Sequence, residues 1–135
     1  MKKLVVIAGQ GGRMGAALVA QLNAAGLPAK VIAVGANSSA TAAMLKAGAD
    51  AGATGENPVA VCCADADLIL GPMGIITANA LLGEITPKMA AAVSESPAQK
   101  LLIPVNRCAV TVVGVQELAL GDYVKLAAEK AREML

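Results

Sequence analysis

Residues 4–15 read Leu-Val-Val-Ile-Ala-Gly-Gln-Gly-Gly-Arg-Met-Gly, and this stretch decides the predicted fold. Its first five residues form a continuous apolar run of strand length, and four of the next seven are glycine. Apolar side chains then recur at helical spacing over residues 14–25. A strand that is apolar on both faces, followed by a turn and a helix, is typical of a parallel sheet with helices on both sides.

Strand and helix signals alternate along the rest of the chain. Further strands are predicted at residues 31–34, 51–54, 68–70, 101–105 and 110–115, and further helices at residues 39–47, 59–64, 75–82, 87–95 and 122–135. The predicted caps of four of these helices are Asn37 or Ser38, Asn57, Thr86 and Asp122. The last two strands are close enough in sequence to form a hairpin at one edge of the sheet. We therefore expect an α/β, three-layer, Rossmann-like fold with a mostly parallel sheet and a C-terminal edge hairpin.

Composition excludes several classes of function. The length of 135 residues fits one domain, residues 1–135, and the formal net charge of +1 gives no electrostatic footprint for nucleic acid. The chain has no His, Trp or Phe. Histidine acid–base catalysis, histidine metal ligation and aromatic stacking platforms for bases are therefore excluded. The adjacent Cys62 and Cys63 do not have metal-ligand spacing, so we expect no metal site.

Charged side chains are scarce and unevenly placed. They make up 16% of the chain, against about 25% in a typical globular domain, and residues 4–121 carry 13 of the 21. The predicted helices at residues 14–25, 39–47 and 75–82 hold one charge among them, Lys46. We therefore predict a homodimer or homotetramer formed through these alanine-rich helices, with residues 122–135 at the periphery.

The sequence also favours a cytoplasmic location without membrane contact. The uncharged runs are too polar to span a bilayer, and Lys2 and Lys3 precede only five apolar residues, too few for a signal-peptide core. The three cysteines are odd in number, which fits a reducing compartment.

Residues 9–15 have the composition of a phosphate-binding loop. Glycine allows a tight turn and the close approach of a pyrophosphate to bare backbone, and the helix that follows offers free N–H groups and its positive dipole end. The position between a strand and a helix is the one such a loop requires. The alternative is a glycine turn that only lets the helix pack closely against the strand.

The end of the second predicted strand indicates which nucleotide would bind. An acidic residue there usually binds the ribose hydroxyls of NAD, but here Gly35 is followed by Ala-Asn-Ser-Ser, with no acid between Gly9 and Asp50. Asn37, Ser38 and Ser39 leave room for a 2′-phosphate, with Arg13 or Lys46 as cations. NADP is thus favoured over NAD, unless the polar residues serve only to cap the helix.

Ligands of doubly wound sheets bind beyond the carboxyl ends of the strands, and most polar and glycine features of this chain follow a predicted strand. The predicted cofactor-binding residues are Gly9, Gln10, Gly11, Gly12, Arg13, Met14, Gly15, Gly35, Asn37, Ser38, Ser39, Gly71, Pro72 and Gly74. The predicted substrate-binding residues are Thr54, Glu56, Asn57, Thr77, Asn79, Asn106, Arg107 and Cys108. Asp65 and Asp67 precede a strand, so we expect them in a solvated turn at the opposite edge.

Acid–base groups for an enzyme would have to come from Glu56, Lys88, Cys108 or Tyr123. Cys108, beside Arg107, is either an activated thiol or a buried small residue. An ion pair between Glu84 and Lys88 at a helix start is the expected role of those two side chains. The favoured interpretation is a protein that binds NADP or a related phosphorylated nucleotide. The alternatives are a ligand-sensing module whose ligand controls assembly and a purely structural homo-oligomer, and the sequence does not decide between the first two of these three.

Two resemblances accompany these patterns. Residues 6–15 resemble the nucleotide loop of dihydrodipicolinate reductase, which binds a reduced nicotinamide cofactor, but the histidine-rich catalytic motif of that family has no counterpart here. Over nearly its full length the chain resembles a small bacterial family known as domain of unknown function 3842, which implies membership but no activity. The matching stretches are residues 5–12, 32–35, 37–38, 40–57, 71–72, 74–76, 82–87 and 103–106.

Overall fold

The centre of the molecule is a five-stranded parallel sheet, seen in a computed structural model that describes residues 1–105 and 109–135. Its strands are β1 (Lys2–Ala8), β2 (Ala29–Gly35), β3 (Ala51–Thr54), β4 (Leu68–Pro72) and β5 (Gln99–Ile103). They lie in the order β3-β2-β1-β4-β5, and every pair of neighbours is parallel. The fold is therefore α/β and Rossmann-like, as predicted, and strand order reverses between β1 and β4.

Helices cover both faces of the sheet. They are α1 (Arg13–Ala24), α2 (Ser38–Lys46), α3 (Glu56–Ala64), α4 (Pro87–Glu95) and α5 (Leu120–Met134), with a short 3₁₀ turn at Met73–Ile76. Alternate residues of β1 point to opposite faces, because side chains alternate along a strand. Leu4 and Val6 pack with buried residues of α1, α2 and α5, whereas Val5 and Ile7 pack with those of α3 and α4. The three predicted layers are confirmed.

Two predicted helix caps are also confirmed. The Asn37 side chain accepts a hydrogen bond of 2.9 Å from the Ala40 N–H at the start of α2, and Thr86 Oγ1 accepts one of 3.1 Å from the Met89 N–H at the start of α4. The predicted caps at Asn57 and Asp122 are wrong. Helix α3 begins at Glu56 after the cap residue Gly55, so Asn57 lies within its first turn. Helix α5 begins at Leu120 after the cap residue Ala119, so Asp122 lies within its first turn.

The predicted helix at residues 75–82 is wrong. Only the 3₁₀ turn is helical there, and residues 77–86, here called the crossover segment, form irregular turns between it and α4. Leu81 and Leu82 both have φ of 57°, in the left-handed region. Leu81 is buried whereas Leu82 is 99% exposed. The segment turns tightly so that buried side chains reach the core, and this tertiary packing overrides the helical pattern of the sequence.

The predicted edge hairpin is wrong as well. Residues 110–115 are not a strand, and β5 pairs only with β4 in the described part of the chain. An antiparallel strand would carry the chain to the amino edge of the sheet, but α5 begins at the carboxyl edge, where Leu120 lies beside the glycine loop. The Tyr123 hydroxyl donates to the Gln116 carbonyl and accepts from the Leu118 N–H, so the preceding segment is held at the start of α5.

Within the described ranges, no helix is long and apolar enough to cross a membrane.

Candidate functional site

The glycine loop joins the carboxyl end of β1 to the first turn of α1. The Gly12 N–H donates to the Gly9 carbonyl at 3.0 Å and closes the turn, with Gly12 in the left-handed region at φ of 74°. The Ala16 N–H donates to the Gly12 carbonyl at 2.8 Å. The N–H groups of the three residues between them have no acceptor within the helix, because the first turn of any helix lacks one. They lie at the positive end of the α1 dipole.

Three of the four loop glycines lie where a Cβ atom would collide with a neighbouring atom. A Cβ atom at Gly12 would lie 2.8 Å from Ala40 Cα, and one at Gly15 would lie 2.5 Å from the sulfur of Met44. A Cβ atom at Gly9 would lie 2.5 Å from a carboxylate oxygen of Glu84. At Gly11, by contrast, a Cβ atom would meet nothing within 4 Å. The packing alternative therefore accounts for three of the glycines and leaves Gly11 without a structural reason.

A cleft of about 350 Å³ opens beside this loop. Its walls are the first turn of α1 with the loop before it, the residue Val105 that follows β5, and Leu120 at the start of α5. One side is polar backbone and the exposed Arg13, and the other is apolar, formed by Met14, Val105 and Leu120. Among the described residues, the cleft walls include one cation and no carboxylate, so the arrangement suits an anionic group joined to an apolar body.

A carboxylate lies on the other side of the loop, at the ends of β1 and β2. Glu84, from the crossover segment, accepts a hydrogen bond of 2.6 Å from the Gln10 N–H through Oε1 and one of 2.9 Å from Asn37 Nδ2 through Oε2. Asn37 Nδ2 also donates to the Gln10 carbonyl at 2.9 Å. The expected ion pair between Glu84 and Lys88 is therefore wrong. Lys88 Nζ instead lies 4.0 Å from Glu56 Oε1.

The other predicted cofactor-binding residues divide into exposed and buried groups. Ser38 and Ser39 are exposed in the first turn of α2. Gly35 is buried, and a Cβ atom there would lie 2.6 Å from the Asn37 carbonyl oxygen. Gly71, Pro72 and Gly74 are buried. Gly71 and Pro72 end β4, and Gly74 lies in the 3₁₀ turn that follows it. A Cβ atom at Gly71 would lie 2.5 Å from the Ile7 carbonyl oxygen, so close strand packing requires glycine there.

The predicted substrate-binding residues do not form one cluster. The Thr54 hydroxyl lies 2.7 Å from the Thr41 hydroxyl, between β3 and α2, and Glu56 Oε2 accepts a 2.6 Å hydrogen bond from Thr86. Asn57 is exposed at the start of α3. Thr77 and Asn79 belong to the turns of the crossover segment. The predictions at Asn106, Arg107 and Cys108 lie outside the described residues.

Sequence reasoning missed Glu84, Val105 and Leu120. The two apolar residues carry no local signal, since a valine after a strand and a leucine at a helix start have many roles. Glu84 lies 74 residues from Gln10 in sequence, and only the predicted crossing of the chain between strands could have placed it. Tyr123, one of the proposed acid–base groups, is buried with its hydroxyl bonded to Gln116 and Leu118.

Three further titratable groups of the described residues lie away from the loop. Burial, with a smaller contribution from neighbouring Cys62, raises the pKa of the Cys63 thiol to about 11. Asp65 and Asp67 are exposed at the amino ends of the strands, as the sequence predicts. The Lys3 N–H donates to Asp67 and the Lys3 ammonium donates to Asp65, two contacts that the sequence does not predict. In the ranges 1–105 and 109–135, no three Cys, Asp or Glu side chains form a group that could hold a metal ion.

The parallel sheet and the glycine loop between β1 and α1 define a Rossmann-like α/β protein. The family model described as Domain of unknown function (DUF3842) matches residues 3–135, and the chain belongs to this family. A comparison with curated proteins gives no significant match.

Among solved structures, the chain is similar to a dodecameric FMN-dependent UbiX-like decarboxylase from Escherichia coli O157:H7. The two share 17% identity with a TM-score of 0.48, over 96% of this chain and 75% of that one.

Proposed function

We propose that this protein binds a phosphorylated nucleotide or nucleotide-like ligand, with one phosphate on the first turn of α1. The observation that carries the proposal is the cleft of about 350 Å³, whose polar wall combines the free N–H groups of a helix start with Arg13. Helix N-termini bind phosphate because N–H groups and the dipole both favour negative charge. The open position of Gly11 lets such a group approach the backbone.

The part of the ligand other than the phosphate would contact the apolar wall of the cleft. Met14, Val105 and Leu120 offer apolar surface to a ring or chain attached to the phosphate, and ligand pockets commonly pair a few polar groups with such surface. The volume lies at the small end of the range of about 300–1,000 Å³ for ligand pockets. A mononucleotide-sized molecule fits this volume better than a complete dinucleotide.

NADP is the specific member of this class that the sequence favours. The exposed Ser38 and Ser39 support it, since their hydroxyls could receive a 2′-phosphate. Lys46 does not support it, because it lies in the last turn of α2, at the other end of the helix from Ser38. Asn37 supports it less, because its side chain already caps α2 and donates to Glu84 and Gln10. NADP and NAD therefore belong in the test together with single-phosphate ligands.

Thermal unfolding with inorganic phosphate, AMP, adenosine, NADP, NAD, FAD and coenzyme A tests the proposal. A ligand at 100 times its Kd stabilises by about 2.7 kcal/mol, which corresponds to a rise in Tm of roughly 8–15 °C. We expect AMP to raise Tm and adenosine, which lacks the phosphate, to leave it unchanged. No shift with any phosphorylated compound at millimolar concentration would mean that the glycine loop serves packing alone.

The AMP affinity of the Arg13→Gln variant tests whether the phosphate binds beside Arg13. Loss of one charge-assisted hydrogen bond weakens binding by about tenfold or more. Lys30→Gln is the matched control, because Lys30 is an exposed cation near the amino end of β2, at the opposite edge of the sheet. Equal affinities of the two variants for AMP would place the ligand elsewhere.

A further inference from the structure

The contact between Glu84 and the glycine loop bears on the ligand class, and this argument rests on the proposed function. Two hydrogen bonds fix the carboxylate, and it also fills the place that a side chain at Gly9 would take. Oε1 accepts from the Gln10 N–H at 2.6 Å, Oε2 accepts from Asn37 Nδ2 at 2.9 Å, and Oε1 lies 2.5 Å from the Cβ position of Gly9. Glu84 therefore fills the space directly above the first loop glycine.

Leu81 fills the space beside it. Its Cδ1 atom lies 2.8 Å from the Cβ position of Gly9, and Ala36 Cβ lies 3.5 Å from the same point. The side chain is buried among core residues of the α3 and α4 face. The ends of β1 and β2 are thus covered by two side chains of the crossover segment. In a dinucleotide fold this place, between the first loop glycine and the end of the second strand, holds the ribose of the adenosine half.

Internal hydrogen bonds and buried side chains hold the crossover segment in this position. The Asn79 N–H donates to the Ile85 carbonyl at 2.7 Å and the Ile85 N–H donates to the Ala80 carbonyl at 3.1 Å, which closes the turns on themselves. Ala80 and Ile85 are buried in the core. Asn79, Leu81 and Leu82 have positive φ, a conformation that non-glycine residues adopt at a cost. The surrounding packing must over-determine such a backbone for it to persist.

We infer that Glu84 is an internal anion that sets the ligand class of the glycine loop. It occupies the nucleoside side of the loop and repels a second phosphate that passes over Gly9, because like charges at short range disfavour each other. A ligand with a single terminal phosphate, held on α1 with its body toward Met14, Val105 and Leu120, avoids the carboxylate. Dinucleotides such as NADP and NAD would bring a second phosphate close to the carboxylate. The site therefore selects ligands with a single phosphate.

Binding measurements on Glu84→Gln and Glu84→Ala test this selectivity, with AMP, NADP and NAD as probes. In the unmodified protein we expect AMP to bind about tenfold or more tightly than either dinucleotide. In both variants we expect the dinucleotides to gain about tenfold or more in affinity. The affinity for AMP should change much less, because Glu84 does not line the cleft beside α1 in which the phosphate is proposed to bind. Leu82→Ala, a fully exposed change in the same segment, is the control and should alter neither affinity.

The outcomes separate the two claims. Loss of dinucleotide affinity in Glu84→Gln would overturn the inference, since the carboxylate would then act as an acceptor for ribose hydroxyls. Equal binding of AMP and NADP to the unmodified protein would overturn it as well, with the proposed function intact. If neither AMP nor inorganic phosphate binds any of the variants, the proposed function fails and the inference fails with it.

Amide hydrogen exchange checks the contact itself without any ligand. The Gln10 N–H donates to Glu84, so its exchange should accelerate by about tenfold or more in Glu84→Ala and change less in Glu84→Gln, which keeps one acceptor oxygen. The Gly12 N–H, which bonds to the Gly9 carbonyl, reports whether the loop keeps its fold. Unchanged exchange at Gln10 in Glu84→Ala, with Gly12 still protected, would contradict the proposed role of Glu84.

Discussion

At the scale of single residues, Gly11 and Gly12 are neighbours with opposite roles. A Cβ atom at Gly11 meets nothing within 4 Å, whereas one at Gly12 lies 2.8 Å from Ala40 Cα at a backbone φ of 74°. We expect Gly11→Ala to keep its stability within about 1 kcal/mol and to weaken AMP binding by about tenfold or more, because the methyl group lies where the phosphate approaches. Gly12→Ala should lose more than about 2 kcal/mol of stability.

Denaturant unfolding and AMP titration of the two variants measure these effects. The contact with Ala40 raises the expected cost at Gly12, which is also the only one of these two glycines with a positive φ. Tight AMP binding by a folded Gly11→Ala protein would show that the phosphate does not approach the loop at this point.

The Cys63 thiol predicts a pH dependence of stability. Its pKa is raised from 9.0 to about 11 by burial in the core of the α3 and α4 face, so between these values the unfolded chain releases a proton that the folded chain keeps. Stability should therefore fall as pH rises from 9 to 11, by up to about 1.4 kcal/mol per pH unit from this group alone.

Denaturant unfolding at several pH values measures that slope. In Cys63→Ala the slope should be shallower than in the unmodified protein, whatever the loss of stability at neutral pH. Cys62→Ala is the matched control, because burial, the larger cause of the shift, remains. Identical slopes in all three proteins would show that Cys63 ionises normally.

At the scale of elements, the crossover segment gives a prediction whose sign depends on its structure. Leu82 is 99% exposed at φ of 57°, so its side chain makes little contact and its backbone is strained. We expect Leu82→Gly to raise stability by up to about 1 kcal/mol, since glycine adopts this conformation freely. In the helix that the sequence predicts for residues 75–82, the same change would cost about 1 kcal/mol.

Leu81→Gly is the contrasting variant, because Leu81 shares the φ of 57° but is buried. There the lost packing outweighs the relieved strain, and we expect a net loss of about 2 kcal/mol or more. Urea unfolding of both variants gives the two changes in free energy. A loss of stability in Leu82→Gly would favour a helical segment.

The contrast between elements shows how far local patterns reach. The apolar run of β1, the caps Asn37 and Thr86, and the short strand β3 all carry signals within a few residues, and the structure has each of them. The crossover segment and the residues after β5 are different. Their conformations depend on tertiary contacts, such as the end of the sheet at which α5 begins. No pattern within a few residues predicts these contacts.

The candidate site also has one part that the local sequence predicts and another part that depends on contacts between distant residues. The glycine loop is recognisable because its residues are consecutive, and it lies where the strand and helix signals place it. The contact of Glu84 with Gln10 and Asn37 joins three separate stretches of chain, so it requires the strand order and the path of the crossover segment. The sequence has no acid directly after β2 and therefore predicts room for a 2′-phosphate there, but the fold brings Glu84 to this place from the crossover segment.

At the scale of the whole molecule, the distribution of charge is explained only in part by packing within the chain. Helix α1 packs against both α2 and α5, which accounts for its scarcity of charge, and the predicted helix at residues 75–82 is absent. Exposed apolar residues remain on the two helices that flank β3. Leu45 on α2 is 43% exposed and Val61 on α3 is 61% exposed.

The two outer strands of the sheet, β3 and β5, differ in how they are protected against pairing with another chain. Strand β3 reads Ala-Gly-Ala-Thr, with no charged residue to block pairing with another chain. At the opposite edge, β5 carries Lys100, whose ammonium donates to the carbonyls of Ser94 and Ser96. Charged residues on edge strands discourage association, and their absence invites it. The predicted homo-oligomer is therefore best placed at the β3 end of the molecule, with α5 at the periphery.

Light scattering at micromolar concentration tests this assembly. We expect at least twice the monomer mass of 13.3 kDa, and we expect Val61→Lys and Leu45→Lys to reduce the mass toward that of the monomer, because a buried unpaired ammonium is costly at an interface. Val113→Lys is the matched control, since Val113 is 95% exposed but lies between β5 and α5, far along the chain from β3. A stable monomer of the unmodified protein at high concentration would refute the assembly, and equal masses of the three variants, all above 13.3 kDa, would place the interface on another surface.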